Sequence, residues 1–194
     1  GPCGPSSEIF WDNGPDFGPD GGPANPEGAE RYVELWNLVF PQYNRGADGE
    51  LSDLPNKNID TGAGLERIMA ALVGSHSLYD SDTLRELVGE AQSVTGHRLG
   101  ESELGDIALR LIADHARTMT FLVADGVIPS NEDRGYVLRR IIRRAIRFAY
   151  LLGVERPVLP AMVERTIFAS SRSSTMLITK DLSIFSSSTG SRFR

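Results

Sequence analysis

Two glycines one residue apart, a carboxylate just before them and a guanidinium just after stand in Asn58-Ile59-Asp60-Thr61-Gly62-Ala63-Gly64-Leu65-Glu66-Arg67-Ile68. The chemistry this order suits is the holding of a phosphate-bearing anion. Leu65, Ile68, Met69 and Leu72 recur at the spacing of one helix face, so a helix begins close to Gly64. The first turn of a helix offers free N–H groups and the positive end of a dipole. Arg67 adds a fixed fork of donors near that same turn. The glycines permit backbone angles or close approaches that a Cβ would forbid. A dinucleotide-binding loop requires a third glycine where Arg67 stands, and a P-loop requires Gly-Lys-Ser/Thr; neither is present. The competing reading is an ordinary turn followed by a surface arginine.

A second grouping is cationic. Arg134, Arg139, Arg140, Arg143, Arg144 and Arg147 fall within fourteen residues that contain no acid. At about 100° per residue, Val137, Leu138, Ile141, Ile142, Ala145, Ile146 and Ala149 fill one half of a helix. The five arginines from Arg139 to Arg147 fill the other half. A solvated helix face usually mixes both signs. Here like charges sit at 139/143/147 and 140/144, each pair costing some tenths of a kcal/mol. A phosphate backbone offsets that cost, because bound arginines release condensed counterions. Pairing with the acidic remainder of the chain would offset it too, and both readings stand. Pro129-Ser130-Asn131-Glu132-Asp133 makes a turn before Arg134, and its amide and carboxylate are suited to read base edges beside the stripe.

Glu8 and Asn37 each carry a choice of readings, and His115 carries one. Glu8 is either a solvent-facing strand residue or an oxygen donor for magnesium. Asn37 is the one amide in an otherwise apolar row, so it is either satisfied by backbone or aimed at a ligand. His115 lies four residues from Leu111 and four from Met119, the place of a hydrogen-bonded core histidine.

The elements that must position these groups follow from the pattern around them. Gly-Pro doublets at Gly1, Gly4, Gly14 and Gly18 break residues 1–30 into loops, with a short strand at Glu8-Ile9-Phe10-Trp11-Asp12. Tyr32 to Phe40 alternates as a buried strand, with Val33, Leu35, Asn37 and Val39 on one face. Pro41 interrupts it, which places a bulge or an edge there, and Gln42 to Arg45 resume it. Asp48-Gly49 signals a hairpin whose return leg ends at Leu54-Pro55. Strand, hairpin, strand, glycine junction and helix describe an antiparallel α+β unit. After Leu72, helical periodicity runs over Tyr79 to Val94, Leu104 to Asp125 and Tyr136 to Leu152, with Gly96, Gly126 and Gly153 at the C-terminal caps. A domain boundary near residue 75 separates the two patterns, and the second part is all-α.

A length of 194 residues allows one large domain or two modest ones. No apolar run is long enough to span a membrane, which excludes that class of partner. The lone Cys3 excludes an internal disulfide framework and suits a reducing, cytoplasmic compartment. The three histidines form no Cys/His cluster at zinc spacing. A net charge of −6 would argue against nucleic acid if the charges were spread evenly, and they are not. The chain opens on Gly1, not Met, as a piece of something longer would.

Taken together the segments resemble the alanyl-tRNA synthetases, a family of class II aminoacyl-tRNA synthetases. The likeness rests on Gly1-Pro2-Cys3-Gly4-Pro5 with Ser7-Glu8-Ile9, on Leu35-Trp36-Asn37-Leu38-Val39-Phe40, on Asp60 through Arg67, on Ala113-Asp114-His115-Ala116-Arg117 and on Pro129 through Arg144. It covers roughly residues 1–168, and the ordered series is far more specific than any single motif. The resemblance implies that residues 58–68 are the third class II motif. Arg67, with Gly62, Gly64 and Glu8, would then serve ATP and Mg2+. Asp60 would hold the alanine ammonium, Asn37 and Val39 would shape the amino-acid pocket, and Gly62 would leave space beside so small a substrate. The helical part would read the tRNA acceptor stem through Asn131, Asp133, Arg134, Arg139, Arg140, Arg143, Arg144 and Arg147, with Arg144 and the 131–133 turn near the discriminating base pair.

The implied reaction is attachment of alanine to its tRNA through an alanyl-adenylate. Zinc is expected only in a separate editing domain, no part of which is visible in the sequence. A pocket separates substrates that differ by one methylene by only about 1–3 kcal/mol, which is why the family needs editing.

Departures from the family are also plain. The chain starts after the place where the first two class II motifs lie, so much of the adenine site is missing and these residues alone are expected not to activate alanine. Pro41 sits where the family usually has another residue. From about Ala169 the likeness stops. The expected organisation is therefore the late catalytic domain over 1–75, a helical tRNA-binding domain over 76–168, and a serine-rich, disordered or out-of-frame tail over 169–194. The rival function is a non-catalytic module that binds an RNA acceptor stem. A chain too incomplete to fold stably, with an exposed sheet edge, is the third reading.

Overall fold

Tyr32–Val39 is rich in β-branched and aromatic residues and forms the central strand, β3, of a three-stranded antiparallel sheet. Its neighbours are β2 (Ser6–Asp12) and β6 (Asp60–Ala63). A second antiparallel sheet is built from β1 (Pro2–Cys3), β4 (Tyr43–Arg45) and β5 (Leu51–Asp53) in the order β1-β4-β5. The structure, a computed structural model, describes residues 1–172. The chain divides into two units, Gly1–Ser81 and a second from Asp82 onward. The architecture is α+β, with both sheets in the first unit.

Pro41 is where the chain passes from one sheet to the other. It is buried, and it has no N–H to offer either ladder. On either side the ladder closes onto the N-terminal segment: Phe40 N donates to Pro5 O at 2.9 Å and Gln42 N to Cys3 O at 3.0 Å. The strand expected to resume after the proline therefore belongs to the other sheet. Gly4 lies against this crossing, and a Cβ there would overlap the carbonyl oxygen of Phe40. The β4–β5 hairpin turns at Gly49 (φ +87°), where Asp48 Oδ1 accepts from Glu50 N at 3.1 Å.

The expectation of a buried central strand is corrected. No residue of β3 is fully buried, and Trp36 is 41% exposed. One short helix, α1 (Leu65–Leu72), packs against this strand, too little to cover two faces.

The boundary between the units lies after Ser81, because residues beyond 75 remain tied to the first unit. Ser75 Oγ donates to Asp80 Oδ2 at 2.5 Å, and the 3-10 turn Leu78–Asp80, capped by Ser77, packs on α1. That turn also delays the next helix, which starts at Asp82 instead of Tyr79.

Among its described residues the second unit is all-α: α2 (Asp82–Thr95), α3 (Glu103–Ala124), α4 (Asp133–Leu151) and α5 (Leu159–Arg172). In α2, Leu84, Leu87, Val88 and Ala91 sit at i, i+3, i+4 and i+7 and are all buried. α3 packs against α2, α4 and α5, with Leu109, Ile112 and Met119 fully buried between them. Gly96, Gly126 and Gly153 close the first three helices with φ of +78°, +88° and +77°. Helix α5 runs through Ala169, which is buried, so the first four residues of the expected serine-rich tail are helical. The rest of that stretch, 173–194, lies outside the described residues.

One ion pair near the sheet is sensitive to acid. Arg31 meets Asp12 with both forks, Nε to Oδ1 at 2.7 Å and Nη2 to Oδ2 at 2.8 Å. That pair, with the N–H of Gly14, lowers the Asp12 carboxyl from 3.8 to about 2. A carboxyl lowered in the folded state stabilises the fold above its unfolded value and loses that contribution as pH falls toward its folded value. Asp12→Asn is therefore expected to lower the urea midpoint of the first unit at pH 6. Tryptophan fluorescence should show that the gap from the wild type closes by pH 2, and a gap unchanged at pH 2 would refute the pair's role.

Candidate functional sites

The β3 register decides which sequence-nominated residues share a face. Glu8 lies opposite Asn37, and Asn37 lies opposite Gly62, so the three form one row across β2, β3 and β6. Val39 lies opposite Asp60 two residues on, on the same face. Asn37 Nδ2 donates to Glu8 Oε1 at 3.0 Å. The amide is thus satisfied by a side chain, neither of the two partners weighed from sequence, and it fixes the carboxylate beside it. Asp60 and Glu8 are exposed, and Asn37 is half-buried.

Gly62 and Gly64 differ in what they need. A Cβ at Gly62 would meet nothing within 4 Å, and its φ is not in the left-handed region. Neither of the backbone reasons expected for it applies; the space above it is open. Gly64 is the N-cap of α1, and a Cβ there would press on the Arg67 stem at 3.1 Å.

Arg67 itself is exposed and curls back over Gly64. Its Nη1 donates to Glu34 O at 2.8 Å. It lines a groove of about 440 Å3 with Trp11, Asn13, Tyr32, Leu35 and His76 among its neighbours. Glu8, Asn37, Val39, Asp60 and Gly62 do not line that groove. The structure thus brings five of the nominated residues onto one sheet face and sets Arg67 at the start of the adjoining helix. The aromatic wall of the Arg67 groove escaped the sequence reading. The groove's lining comes from four separated segments, and no spacing links them. His76, for instance, stacks on Phe17 (4.3 Å between ring centres) with Nδ1 3.1 Å from Asn13 Oδ1.

Among the described residues, no group of three or more His, Cys, Asp and Glu side chains could hold a metal ion.

In the second unit, α4 has the split faces its periodicity predicts, with one exception. Gly135, Leu138, Ala145 and Ala149 are buried, while the five arginines from Arg139 to Arg147 are exposed. Val137, placed on the packing half from sequence, is 53% exposed, because only the side of α4 turned to α3 is covered. Among the described residues no ion pair engages these arginines. Arg140 instead lies over the Tyr136 ring and Arg144 over the Phe148 ring. Pairing with the chain's own acids, the alternative left open above, is not what the described residues show. Arg140, Arg143, Arg144 and Arg147 line one pocket together with His115 and Tyr150. The His115 ring is mostly buried, with Nδ1 3.5 Å from Asp114 Oδ2, and this neighbour lowers the Asp114 carboxyl.

The turn before α4 is held tightly. Ser130 Oγ donates to Glu132 O at 2.8 Å, and a Cβ on buried Gly135 would overlap Ile128 O and Ser130 Oγ. Asp133 is the one non-glycine residue with positive φ (+49°) among the described residues. Asn131, Asp133 and Arg134 are exposed here.

The pattern of the family described as tRNA synthetases class II (A) matches residues 1–181. The chain belongs to the class II tRNA synthetases. The match runs to residue 181, so the expectation that the likeness stops from about Ala169 is corrected. Class II synthetases generally use ATP and Mg2+. Among curated relatives, the Alanine--tRNA ligase of Acidothermus cellulolyticus is 51% identical over 173 residues, 86% of this chain and 19% of that protein. The Alanine--tRNA ligase of Thermobifida fusca is 55% identical over 159 residues, 79% of this chain and 18% of the relative. That of Nitrosomonas europaea is 54% identical over 166 residues, 84% and 18%. This class II synthetase chain spans about a fifth of the length of the curated relatives it matches. No described helix is long and apolar enough to cross a membrane.

Proposed function

We propose that the chain takes part in the ATP-dependent attachment of alanine to its tRNA, contributing part of the amino-acid and ATP site and the surface that meets the acceptor stem. The observation that carries this reading is the sheet face on which Glu8, Asn37 and Gly62 form one row with Asp60 and Val39 beside it. A carboxylate fixed by an amide, next to a glycine with open space above it, suits a small zwitterion. Asp60 holds the ammonium, and the bare Gly62 leaves no room-filling side chain against the methyl group. Asn37 keeps Glu8 oriented. Magnesium bound with ATP takes most of its ligands from phosphates and water, so one exposed carboxylate suits it and Glu8 is the residue that would contribute it. When bound, the ion neutralises phosphate charge.

The reaction joins the alanine carboxylate to the α-phosphate with loss of pyrophosphate, after which the terminal ribose hydroxyl takes the alanyl group and AMP leaves. Such displacements depend on positioning and charge stabilisation more than on covalent help. Arg67 has spent one N–H on Glu34 O and keeps the others for phosphate oxygens. The exposed arginine face of α4 supplies the contacts to the RNA backbone.

A graft tests this. Residues 1–168 are placed in the Acidothermus cellulolyticus ligase in exchange for its matching stretch. The chimera is expected to charge tRNA with alanine and to lose that activity with Asp60→Ala. A folded chimera that charges no tRNA, or one indifferent to Asp60→Ala, would refute it.

The placement of Arg67 apart from the five sheet residues favours a second reading, an RNA-binding module without catalysis. In that case the charging of the chimera would be indifferent to Asp60, while hairpin binding by the chain would still depend on α4.

A further inference from the structure

Asn131 and Arg139 were both nominated as RNA contacts, yet they meet each other: Arg139 Nη1 donates to Asn131 Oδ1. Asn131 stands in the turn just before α4 and Arg139 eight residues on, inside the helix, so the contact runs in the direction helical side chains lean, toward the N-terminus. The neighbours in the stripe behave differently. Arg140 and Arg144 cover aromatic rings, and Arg143 and Arg147 stand on the exposed face without an ion pair among the described residues.

We infer that Arg139 is a positioning residue that fixes the Asn131 amide so that Nδ2, and not Oδ1, is presented to a base edge of the bound RNA. The inference rests on the proposed acceptor-stem surface. A guanidinium has donors only, so the amide group facing it must be the oxygen. That settles the rotamer end for end. Two donors on Nδ2 are left pointing away from Arg139, and their partner must be an acceptor. The wide, shallow groove of A-form RNA offers base acceptors at purine N3 and pyrimidine O2. Without Arg139 the exposed amide can turn over and present either end, so the readout is lost even though Asn131 remains.

Positioning and phosphate contact leave different traces. The 194-residue chain is titrated with an acceptor-stem RNA hairpin at several salt concentrations. The titration is repeated with hairpins in which one groove acceptor at a time is removed by a 3-deaza purine or a 2-thio pyrimidine. The wild type should lose about tenfold in affinity at one position. Arg139→Met should abolish that sensitivity while keeping the wild-type salt slope, and Arg139→Lys should restore it. Arg143→Met should do the reverse, lowering the slope by about one and keeping the sensitivity.

Arg139 is exposed, so an unchanged melting temperature is expected and checks that the fold is intact. A slope lowered by about one in Arg139→Met, with sensitivity kept, would make Arg139 a phosphate contact and overturn the inference. So would a wild type that binds the hairpin but ignores every acceptor removed. Absence of hairpin binding by the wild type would instead sink the RNA reading itself.

Discussion

The double substitution Arg143→Glu/Arg144→Glu is expected to weaken binding of an acceptor-stem hairpin by about 100-fold near 0.1 M salt and to flatten its salt dependence by about two. Two released-counterion contacts disappear and two repulsive charges replace them. Folding should not suffer. In the wild type Arg143 lies one turn from both Arg139 and Arg147, and Arg144 one turn from Arg140, like-charge pairs that cost some tenths of a kcal/mol each. Both positions are exposed, and glutamate there converts repulsions into attractions. Thermal melting should therefore hold steady or rise while binding collapses. Filter binding at three salt concentrations reads the effect. Retained affinity would mean that the arginine face of α4 does not meet RNA.

The second large effect concerns the fold of the first unit. Gly4→Ala is expected to cost about 3 kcal/mol or more, because the new Cβ would overlap the Phe40 carbonyl, a backbone atom that cannot swing aside. The two backbone hydrogen bonds that flank Pro41, from Phe40 N and Gln42 N, would be lost or lengthened with it. The unit has little to set against such a loss. Of the buried core hydrophobic side chains among the described residues, Ala70 alone belongs to it. Urea denaturation followed by tryptophan fluorescence reports the unit, since Trp11 and Trp36 both lie on its sheet. A midpoint within error of the wild type would show that the crossing can relax around a methyl group.

Much of the architecture was legible because it is written in local chemistry. The arginine stripe needed only the helical repeat: 139, 140, 143, 144 and 147 must share a face on any α-helix, and the apolar positions opposite must pack or stay exposed. The glycine caps of α2, α3 and α4 and the Asp48-Gly49 hairpin are equally local, since each depends on the backbone freedom of one residue, and the start of α1 follows from the apolar repeat that begins at Leu65.

What spacing could not contain was partnership. The row Glu8–Asn37–Gly62 exists because three strands pair in one register, and a slip of one residue would turn Asn37 to the other face. The satisfaction of Asn37 by Glu8, the passage between sheets at Pro41 and the contact of Arg139 with Asn131 depend likewise on where distant atoms arrive. The exposure of Val137 and of β3 depends on how much surface a neighbour covers. Residue type and repeat determined which charged and polar groups this chain carries and which of them a helix must set on one face. Strand register and helix packing alone decided which of those groups stand together, because hydrogen bonding and burial are properties of pairs in space and not of positions along a chain.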